Sequence, residues 1–204
     1  MIFMAEQQKK KRKGKSGKRT VDKWKRKKWF KIFAPKDFDK KEIGETPAGK
    51  EKHVLGRTVK VNLGILTGER QKRHITLTFK INDLKGQQAF TEIIKHEISG
   101  SYLNRMVRRR MSKIEAVQTV ETKDGRKIKI KTIALSQKKL ARKQKTVIRK
   151  EIIARIEKSA KRRDFAPLFQ LIVFGVLASK IFKELKAVAP LKRVEIVKSA
   201  VLEG

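Results

Sequence analysis

The residues best suited to chemistry are clustered cations near the start of the chain, with two tryptophans close behind. Residues 9–13 form an unbroken run of Lys and Arg, and Trp24 and Trp29 follow among further cations. Cationic side chains neutralise nucleic-acid phosphates, and aromatic rings stack on unpaired bases or on Arg planes. The alternative is that the tryptophans anchor the basic segment to a folded body. We expect this for Trp29, which adjoins Phe30 and Ile32.

Cations recur in later segments, and we predict that all of these sets clamp RNA phosphates. Contacts of this kind contribute affinity more than sequence specificity. The predicted RNA-binding residues are Lys9, Lys10, Lys11, Arg12, Lys13, Lys15, Lys18, Arg19, Lys23, Trp24, Lys25, Arg26, Lys27, Lys28, Arg73, Arg105, Arg108, Arg109, Arg110, Lys129, Lys131, Arg142, Lys143, Lys145 and Arg149.

Motifs for catalysis are incomplete. Gly14-Lys15-Ser16 resembles the end of a phosphate-binding loop, but the glycine required five residues before Gly14 is Lys9. His96-Glu97 lacks the second histidine of a zinc-protease helix, and no Gly-x-Ser-x-Gly segment occurs. The chain has no Cys, which excludes disulfides and thiolate metal sites. We therefore predict no catalytic residues, no metal, no cofactor and no small-molecule substrate.

The charge balance points to a polyanionic partner. The chain has 204 residues, with 55 Lys and Arg against 20 Asp and Glu, and a net charge of +35. Repulsion at that charge opposes a compact state unless an anion compensates it. Nucleic acid is the first candidate and an anionic membrane surface the second. A structural RNA-binding protein, a general nucleic-acid chaperone or packaging protein, and an RNA enzyme remain open on charge alone.

The N-terminal residues predict an arm that does not belong to the hydrophobic core. Residues 1–25 are expected to form a basic arm that is disordered by itself and orders on RNA, because like charges repel and little apolar surface is available. Met1 to Met4 contain too few apolar residues for a signal peptide, and we expect translation to begin at Met4.

Alternating apolar residues predict two hairpins and a further strand. Segments 59–66 and 74–81 alternate around a polar turn, and residues 89–98 predict another strand. A second hairpin is predicted over residues 113–134, with Asp124-Gly125 as a turn in which both residues have positive φ. One face of its second strand carries Ile128 and Ile130. The other is a ladder of Lys127, Lys129 and Lys131.

The second half of the chain predicts helices. Ser101 is a candidate cap for a short helix, and Ser136 for a long one that runs to about Arg163. Asp164 is expected to cap a single core helix over residues 165–179, which is too short and too interrupted for a membrane span. Pro190 precedes a final strand.

Strands followed by helices predict an α+β fold with a mostly antiparallel, barrel-like sheet, flanking helices and the basic N-terminal arm. We expect the arm at residues 1–25 and one globular domain at 26–204. Within that domain the sheet is expected mainly at 30–135, helices at 137–189 and a closing strand at 191–202.

An ordered series of short segments resembles the small-subunit ribosomal protein family called S3Ae or S1e. The resemblance runs from about Trp24 to Leu202. The segments are Trp29-Phe30-Lys31-Ile32-Phe33-Ala34-Pro35-Lys36-Asp37-Phe38, Ile43-Gly44-Glu45-Thr46, Gly56-Arg57, Tyr102-Leu103-Asn104-Arg105-Met106-Val107-Arg108-Arg109, Ser112-Lys113-Ile114-Glu115-Ala116, Thr122-Lys123-Asp124-Gly125 and Gln144-Lys145-Thr146-Val147-Ile148-Arg149. Arg126 departs from the aromatic residue of many members. The absence of a long tail after Gly204 indicates an archaeal type.

The resemblance implies a structural constituent of the ribosome in the cytoplasm. It implies a barrel-like sheet with flanking helices, and a place on the platform of the small subunit near the messenger exit. Small-subunit rRNA and neighbouring ribosomal proteins would be its partners there, and contact with messenger RNA near the exit fits that position. No membrane contact is implied.

Overall fold

The computed structural model describes residues 24, 25, 27–187 and 189–202, so the predicted arm before residue 24 lies outside the described residues. The strands in the described part are β1 (Lys28–Phe33), β2 (Glu42–Ala48), β3 (Thr58–Asn62), β4 (Ile75–Lys85), β5 (Gln88–Ile98), β6 (Lys113–Glu121), β7 (Lys127–Ser136) and β8 (Leu191–Leu202). The helices are α1 (Leu63–Thr67), α2 (Gly100–Met106), α3 (Arg142–Lys161), α4 (Phe165–Val173) and α5 (Val176–Leu185).

All of these strands belong to one sheet, and β5 is its branching point. One edge of β5 pairs along its full length with β4, which pairs in turn with β3. Its other edge is shared between β1, which pairs in parallel with Gln88 to Phe90, and β8, which pairs with residues 95–97. The sheet then continues from β8 to β7 and β6. Except for β1 with β5, every pairing is antiparallel, which confirms the α+β prediction. The sheet is open, so it matches the predicted barrel-like shape only loosely.

Helices α3, α4 and α5 share one hydrophobic cluster with the inner face of the sheet. Ile148, Ile152 and Ile156 recur every four residues on α3 and are fully buried with Ile128 and Ile130 of β7. Burial of each such side chain contributes about 1.5–3 kcal/mol. A smaller cluster closes the end of the sheet near β1 and β2 and contains Phe30, Ile32, Ala48, Val54, Ile81 and Ala89.

The first predicted hairpin is confirmed as the β3–β4 pair, but its first strand ends early. Residues 59–66 were expected to be extended, whereas the strand stops at Asn62 and α1 follows. A helical turn brings Leu63 and Leu66 to the core together and leaves Ile65 70% exposed. A strand would have placed Leu63 and Ile65 on the same face, so burial of the two leucines favours the helix.

The second predicted hairpin is confirmed as β6 and β7. The expectation of positive φ at both Asp124 and Gly125 was wrong, because only Gly125 has it, at 74°. The loop is longer than the predicted two-residue turn: the Thr122 N–H donates to the Arg126 carbonyl, which closes the hairpin outside residues 123–125. In a three-residue loop only the last residue needs the left-handed conformation.

Two predicted helix caps were wrong, and a third is partly correct. The residue before α2 is Ser99, not Ser101, and its side chain makes no capping bond. Ser136 is the last residue of β7 instead of the start of α3. Asp164 does precede α4, but its side chain makes no capping bond. The Phe165 N–H donates instead to Asp124 Oδ2 at 2.9 Å, so the turn of the second hairpin caps α4 from across the fold.

The predicted single helix over residues 165–179 is two helices. Gly175, with a φ of 75°, separates α4 from α5, and left-handed backbone ends an α-helix. The axes of the two helices differ by 71°. No single helix in the described part of the chain is long and apolar enough to cross a membrane, although α4 and α5 pass the length and composition criteria as a bent pair. Both helices contribute most of their apolar side chains to the core.

His96 is a buried polar residue on the inner face of β5. It is opposite Ser199 of β8, and both side chains are almost fully buried. Its Nδ1 has no hydrogen-bond partner among the described residues. Burial, opposed by the charge of Glu97 and reinforced by His74, lowers the pKa of His96 to about 4. His96 is therefore neutral in the folded protein at neutral pH.

We expect the stability of the protein to fall as the pH is lowered from 6.5 to about 4. In that window the unfolded chain binds a proton at His96 and the folded chain does not, so unfolding is favoured. The full contribution is on the order of 3 kcal/mol above pH 6.5. Urea unfolding at several pH values would measure it.

The matched variants are His96→Leu, which should lose this part of the pH dependence, and His53→Gln at an exposed histidine, which should keep it. An unchanged slope in His96→Leu would contradict the assignment.

Candidate nucleic-acid interface

The outer face of the sheet carries the lysine ladder predicted for β7. Ile128 and Ile130 are buried, and the alternate residues Lys127, Lys129 and Lys131 lie on the opposite face. Strand alternation forces this separation, since successive side chains project to opposite sides of a sheet. One strand therefore supplies core and charged surface together.

The strand register extends this surface beyond β7. Residues that are directly paired share a face, so Lys198 of β8 lies beside Lys131, and Lys95 of β5 lies two strands from Lys129, on the far side of Ala200. Lys95 pairs with Thr78, which pairs with Lys60 of β3. We call this set the outer lysine face; its members are Lys60, Lys95, Lys127, Lys129, Lys131 and Lys198.

The carboxylates of Glu97 and Glu115 form ion pairs with lysines of this face. The Glu97 carboxylate is 2.5 Å from Lys95 Nζ, and the hydrogen bond from Lys95, with the nearby charges of Lys198 and Lys60, holds the pKa of Glu97 below its usual value. These pairs are partly exposed, so their net contribution to stability is small. They leave most of the positive charge of the face available to phosphates.

Glu115 performs the same role at the edge of the sheet. Its carboxylate oxygens lie 2.6 Å from Lys113 Nζ and 2.9 Å from Lys131 Nζ, and these hydrogen bonds lower the pKa of Glu115. Its backbone carbonyl accepts a hydrogen bond from Arg149 Nε of α3 at 3.0 Å. Glu115 of β6 thus contacts both Lys131 and Arg149, two of the predicted RNA-binding residues.

A pair of buried serines brings two basic loops together. The Ser112 N–H donates to Ser136 Oγ at 2.9 Å, and the Leu140 N–H donates to Ser112 Oγ at 3.0 Å. The loop before Ser112 contains Arg108, Arg109 and Arg110, all exposed, and the loop after Ser136 contains Lys138 and Lys139. Ser136, which we had expected to cap a helix, instead helps to hold these two basic loops next to each other.

The N-terminal turn of α3 is unusually cationic for its position. Arg142 and Lys143 are exposed, Lys145 is half-buried, and no acidic residue lies in this turn. The positive end of the helix dipole and the free backbone N–H groups already favour anions there. Additional cations are unfavourable at this end unless an anion compensates them, so the turn is suited to a phosphate.

Trp24 and Lys25 are the described residues of the predicted arm, and Lys27 and Lys28 follow it; all four are exposed. Lys27 Nζ lies 3.7 Å from the centre of the Trp24 ring. The expectation that Trp29 anchors this segment was wrong, because its side chain is 55% exposed while Phe30 and Ile32 enter the core. Alternation along β1 places Trp29 on the outward side.

The other predicted residues are dispersed or undescribed. Arg73 and Arg105 are exposed but lie on separate elements, before β4 and on α2. The remaining predicted residues lie outside the described part of the chain: Lys9, Lys10, Lys11, Arg12, Lys13, Lys15, Lys18, Arg19, Lys23 and Arg26. Lys60, Lys95 and Lys198 were not among the residues predicted from the sequence. Their outward positions follow from alternation, but their alignment with Lys129 and Lys131 depends on pairings between distant strands.

Comparison with known proteins gives one consistent result. The sequence pattern described as the Ribosomal S3Ae family matches residues 15–204. The small ribosomal subunit protein eS1 of Haloquadratum walsbyi is 41% identical over 170 residues, which cover 83% of this chain and 80% of that protein. The protein of the same name from Methanobrevibacter smithii is 38% identical over 190 residues, or 93% of this chain and 98% of its own length. That of Saccharolobus islandicus is 41% identical and covers 89% of this chain and 88% of its own.

We expect Ser136→Ala to destabilise the protein by about 1–3 kcal/mol, because the buried Ser112 N–H would lose its acceptor. Ser101→Ala, at an exposed serine of α2, is the matched control and should change stability little. Denaturant unfolding of the two variants tests this. Equal stabilities would show that the serine pair does not hold the two basic loops.

Proposed function

Because the chain belongs to the ribosomal S3Ae family, we propose that it binds small-subunit rRNA on the platform of the subunit, near the messenger exit. Proteins of this family are structural constituents of the small ribosomal subunit and are not enzymes. The resemblance to archaeal relatives supports a place in the cytoplasmic ribosome. Its partners would be rRNA and neighbouring ribosomal proteins, with messenger RNA close to the exit.

The outer lysine face is the observation that carries the proposal. Its six lysines come from β3, β5, β7 and β8, and the carboxylates of Glu97 and Glu115 offset only part of their charge. A rigid sheet fixes the spacing of these lysines. The cations can therefore contact successive phosphates of an RNA backbone without a large loss of backbone entropy.

The loops held by Ser112 and Ser136 provide a second contact. They carry Arg108, Arg109 and Arg110 next to the cationic first turn of α3. Arg contacts phosphate through two parallel N–H groups, whereas Lys acts as a point charge. We propose that the two loops joined by Ser112 and Ser136, together with the first turn of α3, bind a bent segment of RNA backbone. The sheet would contact a longer stretch of phosphates.

A general nucleic-acid chaperone or packaging protein is the alternative. It would be equally basic and would also lack catalysis. Family membership and the match along most of the chain favour the ribosomal role. The two functions differ in where the protein resides, because a constituent stays in the particle and a chaperone leaves it.

The first test removes charge from the outer lysine face. In a chain with Lys129→Gln and Lys198→Gln, we expect weaker binding to a platform rRNA fragment. The slope of log affinity against log salt should become shallower by roughly 0.7–0.9 for each lost phosphate contact. The matched control is Lys50→Gln with Lys52→Gln, which removes the same charge at two exposed positions in a turn. Equal slopes in the two double variants would mean that only net charge matters.

The second test is the location of the protein in the cell. We expect the chain to sediment with small subunits after a high-salt wash, because many contacts within a particle dissociate together only rarely. Gradient fractions analysed by mass spectrometry would show this. Recovery of most of the chain at the top of the gradient would support the chaperone alternative instead.

A further inference from the structure

A cleft of about 300 Å³ lies apart from the outer lysine face. It is bordered by the residues before β4, by α2, by the turn between α4 and α5, and by the first part of β8. Its lining includes Lys72, His74, His96, Tyr102, Phe174 and Arg193.

One wall of the cleft is a pair of stacked rings. The His74 and Tyr102 rings have centres 3.8 Å apart and planes within 17° of parallel. His74 Nδ1 lies 2.9 Å from the Gln71 carbonyl, which restrains the imidazole ring. Phe174 borders the cleft from the turn between α4 and α5, is 38% exposed, and stacks on Phe38 with ring centres 6.4 Å apart.

Two cations accompany these rings. The Arg193 guanidinium carbon is 5.7 Å from the centre of the Tyr102 ring, and Arg193 Nε donates to Glu195. Lys72 Nζ is 4.6 Å from the centre of the Phe174 ring. A cation therefore lies over each aromatic ring. Each cation is also paired with a carboxylate, Lys72 with Glu69 at 3.0 Å and Arg193 with Glu195.

His96 also lines the cleft. It is 1% exposed, and its Nδ1 lacks a hydrogen-bond partner among the described residues. A buried polar atom of this kind is costly unless something bonds to it. A heterocycle with polar edges would suit such a cleft better than a purely apolar group.

We infer that this cleft receives one unpaired nucleobase of RNA, with Lys72 and Arg193 beside its phosphates. The inference rests on the proposed RNA-binding function and goes further, because it assigns a site for a base and not only for phosphates. Aromatic faces flanked by cations are the side chains on which proteins stack bases that have left a helix. The volume fits a single heterocycle, and Lys72 and Arg193 offer two cations to the phosphate of a nucleotide.

Tyr102 is the only tyrosine of the chain, so its ring can be observed alone. The full chain, carrying isotope-labelled tyrosine, would be titrated by NMR with AMP and, separately, with ribose 5-phosphate. The two probes carry the same phosphate, and only AMP has a base. We expect AMP to shift the Tyr102 ring signals saturably and ribose 5-phosphate to shift them far less. Equal shifts, or none with either probe, would overturn the inference.

Variants separate the cleft from general charge effects. Phe174→Leu keeps apolar bulk and Arg193→Gln keeps a hydrogen-bonding side chain. Each should weaken AMP binding about tenfold, the loss of one stacking or ionic contact. Lys183→Gln, at an exposed position of α5, is the control that removes one charge elsewhere and should leave AMP binding unchanged. Thermal melts confirm that each variant is folded, and equal losses in all three would overturn the inference.

The third measurement is ultraviolet cross-linking in purified small subunits. A nucleotide adduct on Tyr102 or Phe174 would support the base site. Adducts confined to peptides of the outer lysine face would overturn it while leaving the proposed function intact. A cross-link from Tyr102 to another protein would assign the cleft to protein docking and also overturn the inference. Absence of the chain from the subunits would refute both proposals.

Discussion

Strand alternation in a sheet that is covered on one side is the constraint on which the molecule depends. In β7 it places Ile128 and Ile130 in the core that the sheet shares with α3, and directs Lys129 and Lys131 outward. The same division runs through β8 and β5, so one backbone arrangement builds the hydrophobic core and the cationic surface together. A shift of register by one residue would exchange the two faces and place lysine ammonium groups in the core that contains Ile148 and Ile152. The energy of the core therefore maintains the pattern of surface charge.

The surplus of positive charge sets the second condition of the fold. The carboxylates of Glu97 and Glu115 lie among lysines of the sheet and separate charges that would otherwise repel. Such pairs contribute little individually. They order the lysine side chains, so that less side-chain entropy would be lost on contact with a polyanion. The cationic first turn of α3 has no such internal compensation, which makes it the place where an external anion would stabilise the fold most.

The sequence predicted the elements whose signals are local. Hairpin β6–β7, strand β5 and closing strand β8 are found where alternation and turn residues indicated them. Features that depend on competition with the core were missed: Leu63 and Leu66 convert the end of a predicted strand into α1, and Gly175 divides a predicted helix in two. Ser136 was expected to cap a helix because a helical segment follows it, and its true partner, Ser112, is too distant in sequence to be predicted. Lys60, Lys95 and Lys198 join Lys129 on one surface only through strand pairings that alternation within a single segment does not determine.

The position of β8 has a consequence for biosynthesis. This strand lies between β5 and β7 in the sheet, yet the ribosome makes it after both of them. The β4–β5 and β6–β7 hairpins can therefore form during translation but cannot be joined into one sheet until β8 has left the exit tunnel. Until then each half exposes an unpaired strand edge and apolar side chains to a solution rich in nucleic acid and other nascent chains. Contacts of high sequence separation form slowly, so the two hairpins are joined into one sheet late in folding.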